Sequence, residues 1–401
     1  MQLGIDRLLS ETKLQAPLLQ QRLALVGHPA SVTRHGQHSL DALAETGKFK
    51  LSAAFGPQHG MRGDKQDNMI ESGDYQDPQH HIPVFSLYGE VRRPTQAMLD
   101  SFDILLIDIQ DIGCRIYTYI TTLLYLLEAC AAQHKKVVIL DRPNPAGREI
   151  EGLILEQGWE SFVGADKIIM RHGLTLGEMA RWFVKHKQLD VECDIIPMTD
   201  YHIHTAPGYG WPVHELAWVN PSPNASSINM TRCYAGTVLL EGTTLSEGRG
   251  TTIALELVGA PDIDIQRVLQ EMESMAPQWM QGVLIRPCFF EPTFHKHAGM
   301  LCQGFQLHTD CHSFNPAMFK PYRLVLLFLK AIHRLNQDYP LWREFDYEYE
   351  TEKLAFDVIN GGPTARQWVE NPNSTVEDLE VKLTHDEKQW KESIADCLLY
   401  V

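Results

Sequence analysis

The chain has 401 residues, 44% of them hydrophobic and 21% charged, with 28 glycines and 22 prolines; this length predicts two to three domains, and the composition excludes collagen-like and low-complexity classes. A formal charge of −16 argues against nucleic acid or an anionic membrane surface as a general partner, but leaves room for a local basic pocket that takes an acidic small molecule. No stretch reaches the roughly 18 uninterrupted apolar residues of a spanning helix, and residues 1–7 show no basic region followed by an apolar run, so the expected location is cytoplasmic.

In chain order, 23–26 is a short apolar run and 39–46 a helical pattern. Further apolar runs occupy 51–55, 82–87, 102–109 and 136–140, with helices expected over 95–101 and 117–133. Short continuous apolar runs separated by helices predict a parallel sheet buried on both faces, in an open, doubly wound α/β domain. Thr175-Leu176-Gly177-Glu178 reads as a capping box. Residues 201–226 are rich in Pro, Gly, Trp and His and read as a wandering loop at a domain junction, dividing the chain into 1–225 and 226–401. Beyond it, helices are expected over 266–275 and 321–336 and strands over 282–287 and 304–309. Ser374 and Thr384 would each start a further helix, giving a smaller mixed α+β domain.

Each apolar run of the first half ends in polar, Gly/Pro-punctuated sequence: Gly27-His28-Pro29, Gly56-Pro57-Gln58-His59-Gly60, Tyr88-Gly89-Glu90, Asp108-Ile109-Gln110-Asp111-Ile112-Gly113-Cys114-Arg115 and Asp141-Arg142-Pro143-Asn144-Pro145. In an open parallel sheet these ends face one crevice, where ligands bind. The plainer reading, that Asp, Gly and Pro merely end strands and cap helices, holds for any one motif taken alone. A second polar cluster runs from Glu241 through Glu247 and Arg249 to Thr252. Glycine fingerprints for dinucleotides or P-loop nucleotides are missing, as is a G-x-S-x-G elbow. The pairs His202/His204 and His295/His297 lack zinc-type spacing, and eight scattered cysteines without C-x-x-C read as reduced thiols, so neither a metal nor a cofactor is expected. Carboxylates, amides, arginines and tyrosines remain, the usual equipment for binding and hydrolysing sugars.

With these motifs, continued by Arg171-His172-Gly173, Pro221-Ser222-Pro223-Asn224, Phe294-x-Lys296-x-x-Gly299 and Cys302-x-Gly304, the sequence resembles the exo-β-N-acetylmuramidase (NamZ-like) family almost end to end. The resemblance implies a Rossmann-like domain, a smaller C-terminal domain and a cleft between them. It also implies removal of a terminal non-reducing N-acetylmuramic acid from peptidoglycan fragments during cell-wall recycling, so the expected partner is a small amino-sugar or muropeptide. Two positions depart from the family pattern: Thr-Asn-Pro is Gly27-His28-Pro29, and the Glu of Pro-Glu-His-Gly, thought to be catalytic, is Gln58. An amide orients a sugar but cannot protonate a leaving oxygen. Two readings follow, a glycosidase whose acid lies elsewhere or a non-hydrolytic amino-sugar-binding homologue.

For the first reading the expected acid is Glu71, desolvated by Met69 and Ile70, in preference to Asp64, Asp67 or Glu90. Asp111 would stabilise the oxocarbenium-like centre, with His59 beside them. Substrate contacts are expected from Gln58, Gln110, Arg115, Tyr117, Arg142, Asn144, Glu241, Glu247 and Arg249, with Arg115, Arg142 or Arg249 receiving the lactyl carboxylate. His59, Asp111, Arg115 and Asn144 should share one pocket, closed by the 241–252 loop.

Overall fold

The computed structural model describes residues 1–63, 71–348 and 350–400. Six parallel strands, Arg22–Val26, Lys50–Gly56, Pro83–Ser86, Ile104–Ile107, Lys136–Leu140 and Cys193–Ile196, form the main sheet. Numbered by sequence, they lie in the spatial order 3-2-1-4-5-6, and Tyr75–Gln76 adds an antiparallel edge beside Pro83–Ser86. This is the doubly wound arrangement expected of apolar runs alternating with helices. Successive side chains of a strand face opposite ways. Ala24 and Val26 accordingly join one apolar core with Phe55, Leu105 and Ile139, while Leu23 and Leu25 join another with Ala54, Leu106 and Val138.

The first core runs without a break into the C-terminal half. There Pro321–Leu335 is buried among Tyr234, Leu239 and Phe356, and the antiparallel strands Leu257–Ala260, Cys302–His308 and Leu284–Phe290 form a second, three-stranded sheet. Cys193–Ile196 escapes a hydrophobicity reading because it is an edge strand with Asp194 exposed. Helices Ala355–Asn360 and Thr364–Glu370 are too short to show a period. One expectation is corrected: Thr384 starts no helix. Val376–Ile394 is a single helix capped by Thr375, and the Thr384 hydroxyl bonds back to Glu380 one turn earlier (3.2 Å). No described helix is long and apolar enough to cross a membrane.

Candidate active site

Parallel strands deliver their C-terminal turns to one edge of the sheet. After Lys50–Gly56 the chain reverses within four residues. The Gly60 amide donates to the Pro57 carbonyl (2.9 Å), His59 (φ 71°) and Gly60 (φ 77°) are left-handed, and a Cβ on Gly56 would stand 2.7 Å from the Met61 nitrogen. The reversal presents Gln58 and His59 to the crevice. Thr118, preceding helix Tyr119–Ala132, donates its hydroxyl to Gln58 Oε1 (2.7 Å), and Gln58 Nε2 donates to Glu348 Oε1 (3.4 Å). From the end of the neighbouring strand, the Tyr88 hydroxyl donates to Glu348 Oε2 (3.0 Å).

Glu348 comes from the other half of the chain, in a turn where Tyr347 and Glu350 exchange both backbone hydrogen bonds (3.1 and 2.9 Å) and Glu348 itself is left-handed (φ 45°). Burial pushes its carboxyl up to about 7, outweighing the Tyr88 hydrogen bond, and the negative charge of Glu241 raises it further against the lesser opposing effects of Gln58 and Arg92. Glu241 has a different setting. It accepts from Arg249 Nη2 (2.5 Å) and from the Tyr347 hydroxyl (2.7 Å). Behind it, Arg249 Nε reaches Glu247 (3.0 Å) and Lys296 Nζ completes the cluster (2.8 Å). Burial raises the Glu247 carboxyl, but Lys296 and Arg249 outweigh it and bring it to about 2.

Gln58, His59, Tyr117, Glu241, Arg249 and Glu348 thus line one inner cavity, with Ser222 and Asn224 at its side. The Tyr119 hydroxyl holds the latter turn through the Pro221 carbonyl (2.7 Å). The 241–252 loop therefore closes over the crevice with Glu241 and Arg249. The inner cavity measures about 50 Å³, room for a water or two at about 30 Å³ each. Outside that turn lies a cavity of about 670 Å³ walled by Tyr125 and Phe162, with Arg92, Arg93, Lys187 and several carboxylates; Glu348 lines this one too.

The other expected residues lie elsewhere, because their polar groups are spent on the protein. Arg115 is fully buried and donates to the carbonyls of Leu153 (3.0 Å), Ile168 (2.8 Å), Ile359 (3.2 Å) and Asn360 (2.6 Å). Arg142 is paired with Asp108 (2.5 Å), and Asn144 holds the carbonyls of Gly147 (3.1 Å) and Leu174 (3.0 Å). Gln110 donates to the carbonyls of Asp111 and Pro143 (2.7 Å each). Asp111 accepts from the Gly113 amide (2.6 Å) and lies 3.2 Å from His172 Nε2. His172 Nδ1 accepts from the Leu174 amide (3.1 Å), which fixes the ring beside Asp111. Glu247 stands behind Arg249 rather than in the cavity. The single pocket expected to unite His59 with Asp111, Arg115 and Asn144 is corrected accordingly: of these four His59 alone lines the inner cavity.

Glu71 lines the outer cavity, its side chain half-exposed and 3.4 Å from Arg92. Met69, Ile70, Asp64 and Asp67 fall outside the described residues; Glu90 also faces the outer cavity. Thr118, Tyr347 and Glu348 are not among the expected site residues, and Tyr88 enters the sequence reading only within the Tyr88-Gly89-Glu90 strand end. A signal for the last two does exist: residues 344–350 alternate carboxylates with aromatics (Glu344-Phe345-Asp346-Tyr347-Glu348-Tyr349-Glu350), a pattern that suits a sugar site.

Residues 23–229 match the family model described as exo-beta-N-acetylmuramidase NamZ, N-terminal, and residues 232–400 match its C-terminal counterpart. The chain is 39% identical over 374 residues to peptidoglycan beta-N-acetylmuramidase NamZ of Bacillus subtilis (strain 168), covering 93% of this chain and 85% of that relative. Two crystal structures of DUF1343 family proteins from Bacteroides fragilis NCTC 9343 align over all of this chain, at 28% and 26% identity. Their TM-scores are 0.85 and 0.74, covering 99% and 98% of their own chains.

Proposed function

This chain belongs to the exo-beta-N-acetylmuramidase NamZ family, and from that premise we propose that it hydrolyses the bond joining a terminal, non-reducing N-acetylmuramic acid to the rest of a peptidoglycan fragment. One observation carries the reading. Two buried carboxyl groups share the inner cavity in opposed surroundings: Glu241 is ion-paired with Arg249, whereas among the described residues Glu348 receives the neutral donors of Gln58 and Tyr88. Carboxyl groups whose environments differ in this way divide acid and anion roles between them, as hydrolysis of a glycoside requires.

His59, Gln58 and Tyr117 would then orient the sugar. Arg92, which lies 4.2 Å over the Tyr88 ring and also serves the Gly89 carbonyl (2.7 Å) and Glu71 (3.4 Å), lines the outer cavity as a cation that the lactyl carboxylate would share. The rest of the fragment would rest on Tyr125 and Phe162 in the outer cavity, apolar faces suited to a sugar ring. We also take the chain as two domains dividing near residue 225, a reading supported by the separate matches over 23–229 and 232–400. The reaction belongs to the turnover of wall fragments.

The expected result with purified protein is release of free N-acetylmuramic acid from a β-linked N-acetylmuramyl-N-acetylglucosamine disaccharide, followed by mass spectrometry. The reversed disaccharide, with N-acetylglucosamine at the non-reducing end, should stay intact. Saturable binding of the first disaccharide with no release would leave a binding protein instead.

A further inference from the structure

The following rests on the hydrolytic reading above. We propose that Glu348 is the general acid, delivering its proton to the glycosidic oxygen from the junction of the inner and outer cavities. An exo-acting site has a confined end for the terminal sugar and an open end for the remainder, and the oxygen to be protonated lies where the two meet. Among the described residues, Glu348 lines both the confined cavity and the wide one.

Its surroundings keep a proton on it. The carboxyl is buried and receives no ion pair among the described residues, and Glu241 adds negative charge. Arg249 is committed to Glu241 and Glu247, and His59 lines the same cavity. Of the charged groups facing it from the outer cavity, Arg92 favours the ionised form, beside Glu71, Glu90, Arg93, Glu128, Glu160, Lys187 and Glu350. Tyr88 donates to Oε2 (3.0 Å) and Gln58 donates more loosely to Oε1 (3.4 Å). Burial pushes this carboxyl up to about 7, which suits an acid working near neutral pH.

In the step itself the Glu348 proton passes to the glycosidic oxygen as the bond from that oxygen to the muramic acid C1 breaks, and the bonding pair stays on the oxygen. The remainder of the fragment leaves as an alcohol through the outer cavity. Water adds to C1, and the proton it loses restores the Glu348 acid through solvent. Between the two events the Gln58 amide and the Tyr88 hydroxyl both donate to the new carboxylate.

The test compares two substrates. Glu348→Gln should lower turnover of the disaccharide by a factor on the order of 10² to 10⁴. A 4-nitrophenyl muramic-acid glycoside, whose phenolate leaves without a proton, should lose less than about tenfold. The parent's disaccharide activity should fall as pH rises through about 7, and this limb should vanish in the variant. Tyr88→Phe removes a donor that favours the ionised form, so the limb should move to higher pH; this measurement decides the matter if Glu348→Gln does not fold. Equal losses on both substrates, an unmoved limb in Tyr88→Phe, or a leaving-group-selective loss in Glu71→Gln rather than Glu348→Gln would each overturn the assignment. A parent protein that cleaves neither substrate overturns the hydrolytic reading itself, and this proposal with it.

Discussion

Replacing Arg249 with methionine should destabilise the protein by about 3–5 kcal/mol, the usual cost of removing one partner from a buried ion pair. Arg249 is 5% exposed and ties Glu241 to Glu247; Lys296 would still serve Glu247, but Glu241 would keep only the Tyr347 hydroxyl. Turnover should be lost in the fraction that folds, since Glu241 would no longer be held in the inner cavity. The pH dependence adds a second check. Glu247 has a folded-state value of about 2 against an ordinary 4.5. A depressed carboxyl contributes stability that is present above its ordinary value and lost as pH falls through the folded one, here about 3 kcal/mol between pH 5 and 2. That contribution shrinks without Arg249, so parent and variant should converge in denaturant midpoint as pH falls across this window. Identical midpoints at pH 7 would sink the argument.

Arg115→Met should be at least as damaging. The side chain gathers four backbone carbonyls from two distant parts of the chain, Leu153 and Ile168 on one side and Ile359 and Asn360 on the other. Unpaired buried acceptors cost about 1–3 kcal/mol each, so a loss above about 4 kcal/mol is expected and the variant should accumulate as insoluble protein. Burial lowers the guanidinium to about 10, which leaves it charged at neutral pH. Arg115→Lys keeps the charge but cannot span both carbonyl pairs with one ammonium. Its denaturation midpoint should fall while KM for the disaccharide stays within about twofold of the parent. A higher KM at unchanged stability would instead make Arg115 a substrate contact.

These two arginines show what the sequence could and could not tell. The five buried strands were legible because continuous apolar runs have few alternatives, and their polar ends were legible as one crevice because parallel strands share a direction. Gln58 and His59 were found that way, Tyr117 came with the family resemblance, and the Glu241–Thr252 loop was found by its polar density. Which partner a polar side chain takes was not legible. Arg115, Arg142, Asn144 and Gln110 sit in motifs that suit a ligand equally well, and in the fold they satisfy carbonyls or Asp108 instead. Glu348 was out of reach for a different reason: 290 residues separate it from Gln58, and only a turn of the second half brings it there.

The closing residues of the chain carry a consequence for how the protein is made. The Tyr400 hydroxyl donates to Asp141 at the end of a central strand (2.7 Å), the Leu399 amide donates to Glu178 (2.7 Å), and Arg148 holds the Tyr400 carbonyl (2.7 Å). Asp141 and Glu178 are both fully buried. On a ribosome the N-terminal sheet emerges first, yet these carboxyl groups stay without their last partners until residues 399 and 400 have been synthesised. The first half is thus not a unit that matures alone during translation. Fragments stopping near residue 225, or chains clipped by a handful of residues before Tyr400, should be substrates for chaperones and proteases rather than stable domains.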